Sequence, residues 1–167
     1  VLMEELDQVS SGYDFLIFDT GAGISTNVTY FCSAAHEILL VATTEPTSLT
    51  DVYALIKTLH MKHAQKCFRV IINSVNSERE AQLIFKNLAA VTDRFLSSVS
   101  VEYLGYVLSD PAVTKAVRQQ KAFSELYPHA MATQSINQLV QKMVSEKRSV
   151  VNEEQPSLFW RTAFTVQ

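Results

Sequence analysis

The stretch YDFLIFDTGAGIS, residues 13–25, decides the fold, because it joins an apolar run to an acid and then to small residues. The run Phe15–Phe18 predicts a strand that is apolar on both faces, as in a parallel sheet covered by helices. Such a strand delivers Asp19 to its carboxyl end, where open α/β sheets bind ligands. A carboxylate there is well placed to hold Mg²⁺ through a water molecule.

The small residues after Asp19 include two of the four glycines of the chain, Gly21 and Gly23. A turn with so little side-chain bulk lets backbone N–H groups approach a phosphate closely. The same residues also suit a plain strand-to-helix turn in which Asp19 or Ser25 caps the helix. From spacing alone, both interpretations stay open.

Short apolar runs alternate with longer helical patterns along the rest of the chain. Further strands are predicted at Ile38–Ala42, Phe68–Ile72 and Val101–Val107. This alternation predicts an α/β fold with a mostly parallel sheet flanked by helices.

Three helices are predicted from capping signals and periodicity. Ser48 and Asp51 form a capping-box pattern that predicts the start of the helix after Ile38–Ala42. Ser77 and Glu80 do the same for the helix after Phe68–Ile72. A last long helix is predicted over about Met131–Glu146.

Composition limits the function classes. The 167 residues suit one domain, and the net charge of −3 with scattered basic residues argues against nucleic-acid binding. Cys32 and Cys67 form no CxxC pair, so a reducing cytoplasm is predicted. No apolar run approaches the length of a membrane span, which predicts a soluble or peripheral protein.

Two other groups of residues could carry chemistry. His60, His63 and Cys67 lie close enough in sequence to suggest a zinc cluster, but His60 falls on the apolar face of a predicted helix, which favours a structural role. Glu45 and Asp51 suit helix capping and pairing with the helix dipole.

Five segments in order resemble the MinD/ParA class of P-loop ATPases, and most closely its flagellar-number regulators of the FlhG/FleN type. The segments are YDFLIFDTGAGIS, VATTEPTSLTDVYALIK, RVIINSV, YLGYVLSDPAVTKAVRQQKAF and YPHAMATQSINQLVQKM. They cover about Tyr13 to Met143, and AVRQQKAF favours the flagellar branch. The resemblance implies an incomplete P-loop NTPase-like fold.

This resemblance also implies a function. Such a protein is an ATP-dependent switch that forms a homodimer with nucleotide at the interface and limits flagellar assembly. Implied partners are a second copy, a flagellar assembly GTPase or regulator, and the inner face of the cytoplasmic membrane. On the same basis, Glu45 and Asp51 could instead face a partner or the dimer interface.

Site residues follow from the same resemblance. Asp19 matches the Walker B acid, which supports Mg²⁺ through water and serves catalysis. Gly21 and Gly23 match the small residues of switch II, which senses the γ-phosphate of ATP. Asn73 matches the residue that bonds the adenine edge, and Asp110 matches an acid near the base.

The sequence departs from the family pattern in two places. It contains no G-x-x-x-x-G-K-[ST] loop, so the phosphate-binding lysine and its strand are expected to be missing. Leu108 stands where relatives often carry a proline. Residues 1–148 are therefore expected to be the C-terminal portion of an ATPase domain, inactive in ATP hydrolysis on its own.

Residues 149–157 are predicted to be a linker, and residues 158–167 an apolar tail. The tail places Phe159 and Trp160 beside Arg161, which suits a membrane interface or an arm that docks on protein.

Two alternatives to the flagellar ATPase stay open. One is a non-catalytic interaction module. The other is a different member of the superfamily, such as a partitioning ATPase or a cobyrinic acid synthase-like protein.

Overall fold

The computed structural model describes residues 13–150, with side chains described as far as Glu146. Within that range the elements follow in the order α1 (Thr26–Ala34), β1 (Leu39–Ala42), α2 (Pro46–His63), β2 (Cys67–Val75), α3 (Glu78–Phe95), β3 (Ser100–Leu108), α4 (Pro111–Arg118), α5 (Phe123–Leu126) and α6 (Met131–Val150).

The sheet of the described residues has three parallel strands in the order β1-β2-β3. Helices α2 and α3 make the crossovers, because parallel neighbours need a long connection. These strands correspond to three of the predicted apolar runs. The predicted α/β class with a parallel sheet and flanking helices is confirmed.

Helices cover both faces of the sheet. The main core lies between the sheet and helices α2 and α3, and its largest fully buried side chains include Phe68, Ile56 and Leu59. On the opposite face, Leu139 of α6 packs against Leu104 of β3. Because β2 is covered on both sides, its apolar run is nearly continuous.

The predicted start of α3 is confirmed by its cap. The hydroxyl of Ser77 accepts a hydrogen bond from the Glu80 amide at 3.2 Å. In return, the Glu80 carboxylate accepts one from the Asn76 amide at 2.7 Å. Two amide donors near the start of the helix are thereby satisfied, an arrangement worth about 1 kcal/mol.

The predicted capping box of α2 is wrong. The helix begins one turn earlier, at Pro46, with Glu45 as the N-cap residue. Ser48 therefore lies in the first turn, where its hydroxyl accepts from the Thr43 amide at 3.0 Å. Proline sets this start, since its fixed φ suits the first helical position and its missing N–H would have no partner there.

The strand predicted at Phe15–Phe18 is also wrong. These residues have no regular secondary structure, and Ile17 is 84% exposed. A strand is stabilised by pairing with a neighbour, and no strand lies beside this run within residues 13–150. The ring of Phe18 instead stacks on Phe31 of α1, with centroids 5.2 Å apart. Asp19 consequently lies on an exposed loop.

A β-bulge shapes the middle of β3. Val70 pairs with Tyr103 and Ile71 with Gly105, so Leu104 is the extra residue. The ammonium group of Lys142, on α6, donates to the carbonyls of Tyr103 and Leu104, each at 3.2 Å. Lys142 thus links α6 by hydrogen bonds to the bulge of β3.

Arg69 contacts α6 about one turn beyond Lys142. Its guanidinium contacts the Glu146 carboxylate of α6, and it lies 3.4 Å from Glu37 and 3.5 Å from Glu102.

Helix α6 extends to Val150, beyond the predicted Glu146. The predicted linker at 149–157, beyond its first two residues, and the tail at 158–167 lie outside the described range.

Candidate functional site

The carboxyl edge of the sheet brings Asn73 and Asp110 together. Asn73 lies near the end of β2 and pairs with Val107 of β3. Immediately after β3, the Ser109 amide donates to the Val75 carbonyl at 2.8 Å, which holds the two strand ends side by side. Asp110 follows directly. This edge is where ligands bind in open α/β sheets.

A second bulge lies next to Asn73. Asn73 pairs with Val107 and Val75 with Leu108, so Ser74 is the extra residue, and its φ is 59°. A left-handed conformation is costly for a residue with a side chain, and such residues cluster at functional sites. Asn73 itself is half-buried, and its amide can both donate to and accept from a base edge.

The carboxylate of Asp110 joins the starts of two helices. One oxygen accepts from the Ala112 amide of α4 at 2.8 Å, and the other accepts from the Ala132 amide of α6 at 3.2 Å. These hydrogen bonds, with the amide of Met131 and the charge of Lys115, lower the pKa of Asp110. The structure thus gives Asp110 a capping role, and its contact with a base stays a prediction.

The lowered pKa of Asp110 predicts a pH dependence of stability. A depressed pKa stabilises the fold above the unfolded-state pKa of about 3.9, and that stability is lost as the pH falls through the folded pKa. We expect Asp110→Asn to lower the melting temperature at pH 7 and to flatten its decline in acid. Thermal unfolding followed by circular dichroism between neutral and acid pH measures both effects. The control is Asp51→Asn at an exposed position, and equal acid profiles for wild type and Asp110→Asn would contradict the prediction.

The loop after Asp19 is open. A Cβ atom added at Gly21 or Gly23 would meet no atom within 4 Å, and Gly23 has a φ of 97°, which only glycine adopts readily. The loop thus has free space at both glycines, and its contact with a phosphate stays a prediction. Among the described residues, no hydrogen bond joins Asp19 to Asn73 or Asp110, so the structure does not assemble these three predicted residues into one contact network.

The loop between β1 and α2 reaches the same edge of the sheet. The Thr43 hydroxyl accepts from the Glu45 amide at 3.3 Å. Glu45 is the N-cap residue by position, yet its carboxylate makes no capping hydrogen bond, and Asp51 is exposed. Side-chain capping by these acids is therefore not observed, and a partner-facing role for them stays a prediction.

Leu108 uses a backbone group that proline lacks. Its amide donates to the hydroxyl of Ser135 on α6 at 3.3 Å. A proline at this position could not make that hydrogen bond. The departure from the family pattern therefore has a local structural role beside Asp110.

His60 is engaged in structural hydrogen bonds. One ring nitrogen lies 3.0 Å from the Gln65 carbonyl and the other 3.1 Å from the Ser98 hydroxyl. Both nitrogens thus have protein partners, while His63 and Cys67 are exposed. This geometry agrees with the structural role predicted for His60.

The predicted site is an open edge of the sheet. A cavity of about 270 Å³ does occur, but it lies beside β3 and α6, between Tyr103, Gln138 and Lys142, and none of the predicted site residues lines it. Burial and the charge of Glu78 raise the pKa of Tyr103 in its wall to about 12. The carboxyl edge, in contrast, holds the bulged end of β2 and the loops that follow the strands.

The architecture is that of a P-loop NTPase-like α/β fold. It is similar to the MinD cell division protein of Aquifex aeolicus, with a TM-score of 0.59 and 21% identity, over 92% of this chain and 59% of that one. No family model matches the sequence. At this level of identity the likeness shows the fold.

Three curated proteins relate the sequence to a family. Antiactivator FleN of Pseudomonas aeruginosa is 42% identical over 144 residues, covering 86% of this chain and 51% of FleN. Flagellum site-determining protein YlxH of Helicobacter pylori is 31% identical over 149 residues, covering 86% of this chain and 50% of YlxH. An ATP-binding protein of Methanocaldococcus jannaschii, MJ0547, is 25% identical over 146 residues, covering 87% of this chain and 52% of that protein.

The chain is homologous to FleN and belongs to the MinD/ParA-type ATPase family. It spans about half the length of the curated relatives it matches. No helix in the described part of the chain is long and apolar enough to cross a bilayer.

Proposed function

We propose that this chain is part of a MinD/ParA-type ATPase switch that regulates the number or placement of flagella. The observation that carries the proposal is the identity of 42% and 31% to two proteins named for flagellar control, an antiactivator and a site-determining protein. The convergence of Asn73 and Asp110 at the carboxyl edge supports a ligand site in the same region.

ATP and Mg²⁺ are the proposed ligands. Asn73 would bond the base, Gly21 and Gly23 would offer amides to the γ-phosphate, and Asp19 would hold Mg²⁺ through water. The residues fit these roles in two respects: the Asp19 side chain is exposed, and the glycine loop is open. When bound, the metal would neutralise charge on the transferred phosphoryl group.

The 167 residues contain no Gly-rich lysine loop, so this chain would supply the base and metal sides of the site and not the phosphate cradle. We therefore propose ATP turnover for the full-length protein only. The non-catalytic alternative predicts that nucleotide has no effect on the partner interactions of that protein.

The experiment that tests this function uses Asn73→Ala in the full-length protein. Because the change removes hydrogen bonds to the base, we expect ATP affinity to fall about tenfold and flagellar number control to fail on complementation. Calorimetric titration with ATP and electron-microscopic counts of flagella measure the two effects. The control is Asn87→Ala on the exposed face of α3. If the variant bound no detectable ATP and cells complemented with it still had normal flagellar counts, the result would support the non-catalytic module instead.

Dimerisation and membrane association are finer parts of the proposal. We propose that ATP drives the formation of a homodimer and its association with the inner face of the cytoplasmic membrane, with a flagellar assembly GTPase or regulator as a further partner. The apolar tail at 158–167 would provide the membrane contact.

The tail can be tested with one substitution. Trp160→Glu places a charge in the apolar sequence of the tail, so we expect the ATP-loaded full-length protein to be released from anionic vesicles while its thermal stability stays unchanged. Co-sedimentation with vesicles measures the bound fraction. Equal sedimentation of wild type and variant would favour the docking arm.

A further inference from the structure

The segment between Asp110 and Glu125 has an unusual charge balance. Residues 111–124 contain Lys115, Arg118 and Lys121 and no acidic residue, in a chain whose net charge is −3. All three cations are exposed. We name this segment, with Lys115, Val117, Arg118 and Lys121 among its exposed side chains, the basic turn.

The basic turn is held in place by its own hydrogen bonds. Asp110 caps the start of α4, and Ala116, 1% exposed, anchors the helix in the protein. At its end the Lys121 amide donates back to the Ala116 carbonyl at 3.2 Å, with Gln120 in a left-handed conformation at a φ of 52°. The surface is therefore preorganised, which reduces the entropy cost of binding.

The basic turn also contains an exposed apolar side chain. The side chain of Val117 is 67% exposed and lies in the same short helix as Lys115 and Arg118. Among the described residues, no ion pair occupies Arg118 or Lys121, although the charge of Lys115 acts on Asp110. Cations near a helix C-terminus also complement the helix dipole, but an exposed valine adds nothing to that role.

We propose that the basic turn docks a partner protein through an acidic segment that carries an apolar side chain. Carboxylates of the partner would pair with Arg118 and Lys121, and its apolar side chain would cover Val117. Interfaces combine an apolar centre with charged groups at the rim, and arginine is enriched in them.

Nucleic acid fits the basic turn less well. A duplex binder makes about 6–10 phosphate contacts and gains affinity from each cation, whereas this surface offers three cations on a chain of negative net charge. The exposed valine would also be left without a role. This inference goes beyond the proposed function, since the basic turn needs no nucleotide to form.

The test measures binding of a fluorescent glutamate peptide with two central leucines to the full-length protein, by anisotropy at low salt. We expect Lys121→Glu and Val117→Ser each to weaken binding about tenfold. A matched control, Lys86→Glu, makes the same charge change at an exposed lysine on α3 and should leave binding unchanged. Added salt should weaken binding, because the pairs are exposed.

Several results would overturn the proposal. One is no binding of the peptide by the wild type. Another is equal weakening by Lys86→Glu, which would show attraction by overall charge. Equal affinity for a peptide with serines in place of leucines would remove the role of Val117. Tighter binding of duplex DNA or phosphatidylglycerol vesicles, abolished by Lys121→Glu, would assign the surface to that ligand instead.

Discussion

Replacing Gly105 by alanine is expected to lower the free energy of unfolding by about 3 kcal/mol. The added Cβ would lie 2.6 Å from the Cδ2 atom of Leu139, closer than van der Waals contact allows. Leu139 is 7% exposed and packs with Leu104 and Val107, so it cannot move aside without disturbing that cluster. The φ of 158° at Gly105 adds backbone strain for any other residue.

Two controls separate the causes of that loss. Gly21→Ala adds the same methyl group where no atom lies within 4 Å and φ is not positive, so its stability should match that of the wild type. Combining Gly105→Ala with Leu139→Ala should cost less than the sum of the two changes, because the collision is removed. Urea unfolding of the full-length variants measures these energies. A cost for Gly105→Ala below about 0.5 kcal/mol would contradict the close packing.

Asp19→Asn in the full-length protein is expected to lower the rate of ATP turnover about 10- to 100-fold. The magnitude is typical of the loss of a group that acts on a metal through an intermediate ligand. Asparagine keeps the size of the side chain and removes its charge, so the fold should be unaffected. The apparent affinity for Mg²⁺ should fall with the rate, because the carboxylate is proposed to hold the hydrated ion.

Turnover measured across a Mg²⁺ titration tests the role of Asp19. Asp93→Asn, at another exposed acid on α3, serves as the control and should leave the rate unchanged. Unchanged turnover in Asp19→Asn would remove this residue from the site. A lower rate that excess Mg²⁺ fully restores would confirm a role in metal binding.

The sequence predicted the elements that depend on local signals. The apolar runs of β2 and β3 were sufficient to predict these strands, because each strand is covered on both faces. Ser77 and Glu80 predicted the start of α3, because the capping hydrogen bonds join residues no more than four positions apart. The start of α2 also had a local signal, Pro46, which carries more information there than the Ser48 pattern. Short helices such as α5 have too few residues for a periodic pattern.

The run Phe15–Phe18 could not be predicted in this way. Four apolar residues give a segment the capacity to form a strand, but the strand exists only when a neighbour supplies hydrogen-bond partners. The sequence of the run carries no information about that neighbour. Its exposure in the structure is the physical consequence.

The positions of Asn73 and Asp110 in the fold were predictable, but their local contacts were not. Strand ends place Asn73 and Asp110 at one edge, and Asp before proline is a readable helix cap. The second bond of Asp110, to Ala132, joins residues 22 apart in sequence and depends on how α6 packs. The left-handed Ser74 has no signal in residue type, because serine rarely adopts that conformation.

The two hydrogen bonds from Lys142 to β3 make the two edges of the sheet unequal in their capacity to pair with a further strand. The carbonyls of Tyr103 and Leu104 already accept from the Lys142 ammonium group of α6, and a charged side chain held against an edge strand discourages pairing with another chain. The opposite edge strand, β1, carries Val41 at 54% exposure and pairs within the described residues only with β2. Any polypeptide that extends this sheet is therefore expected to add beside β1, so that recruitment of new strands is one-sided.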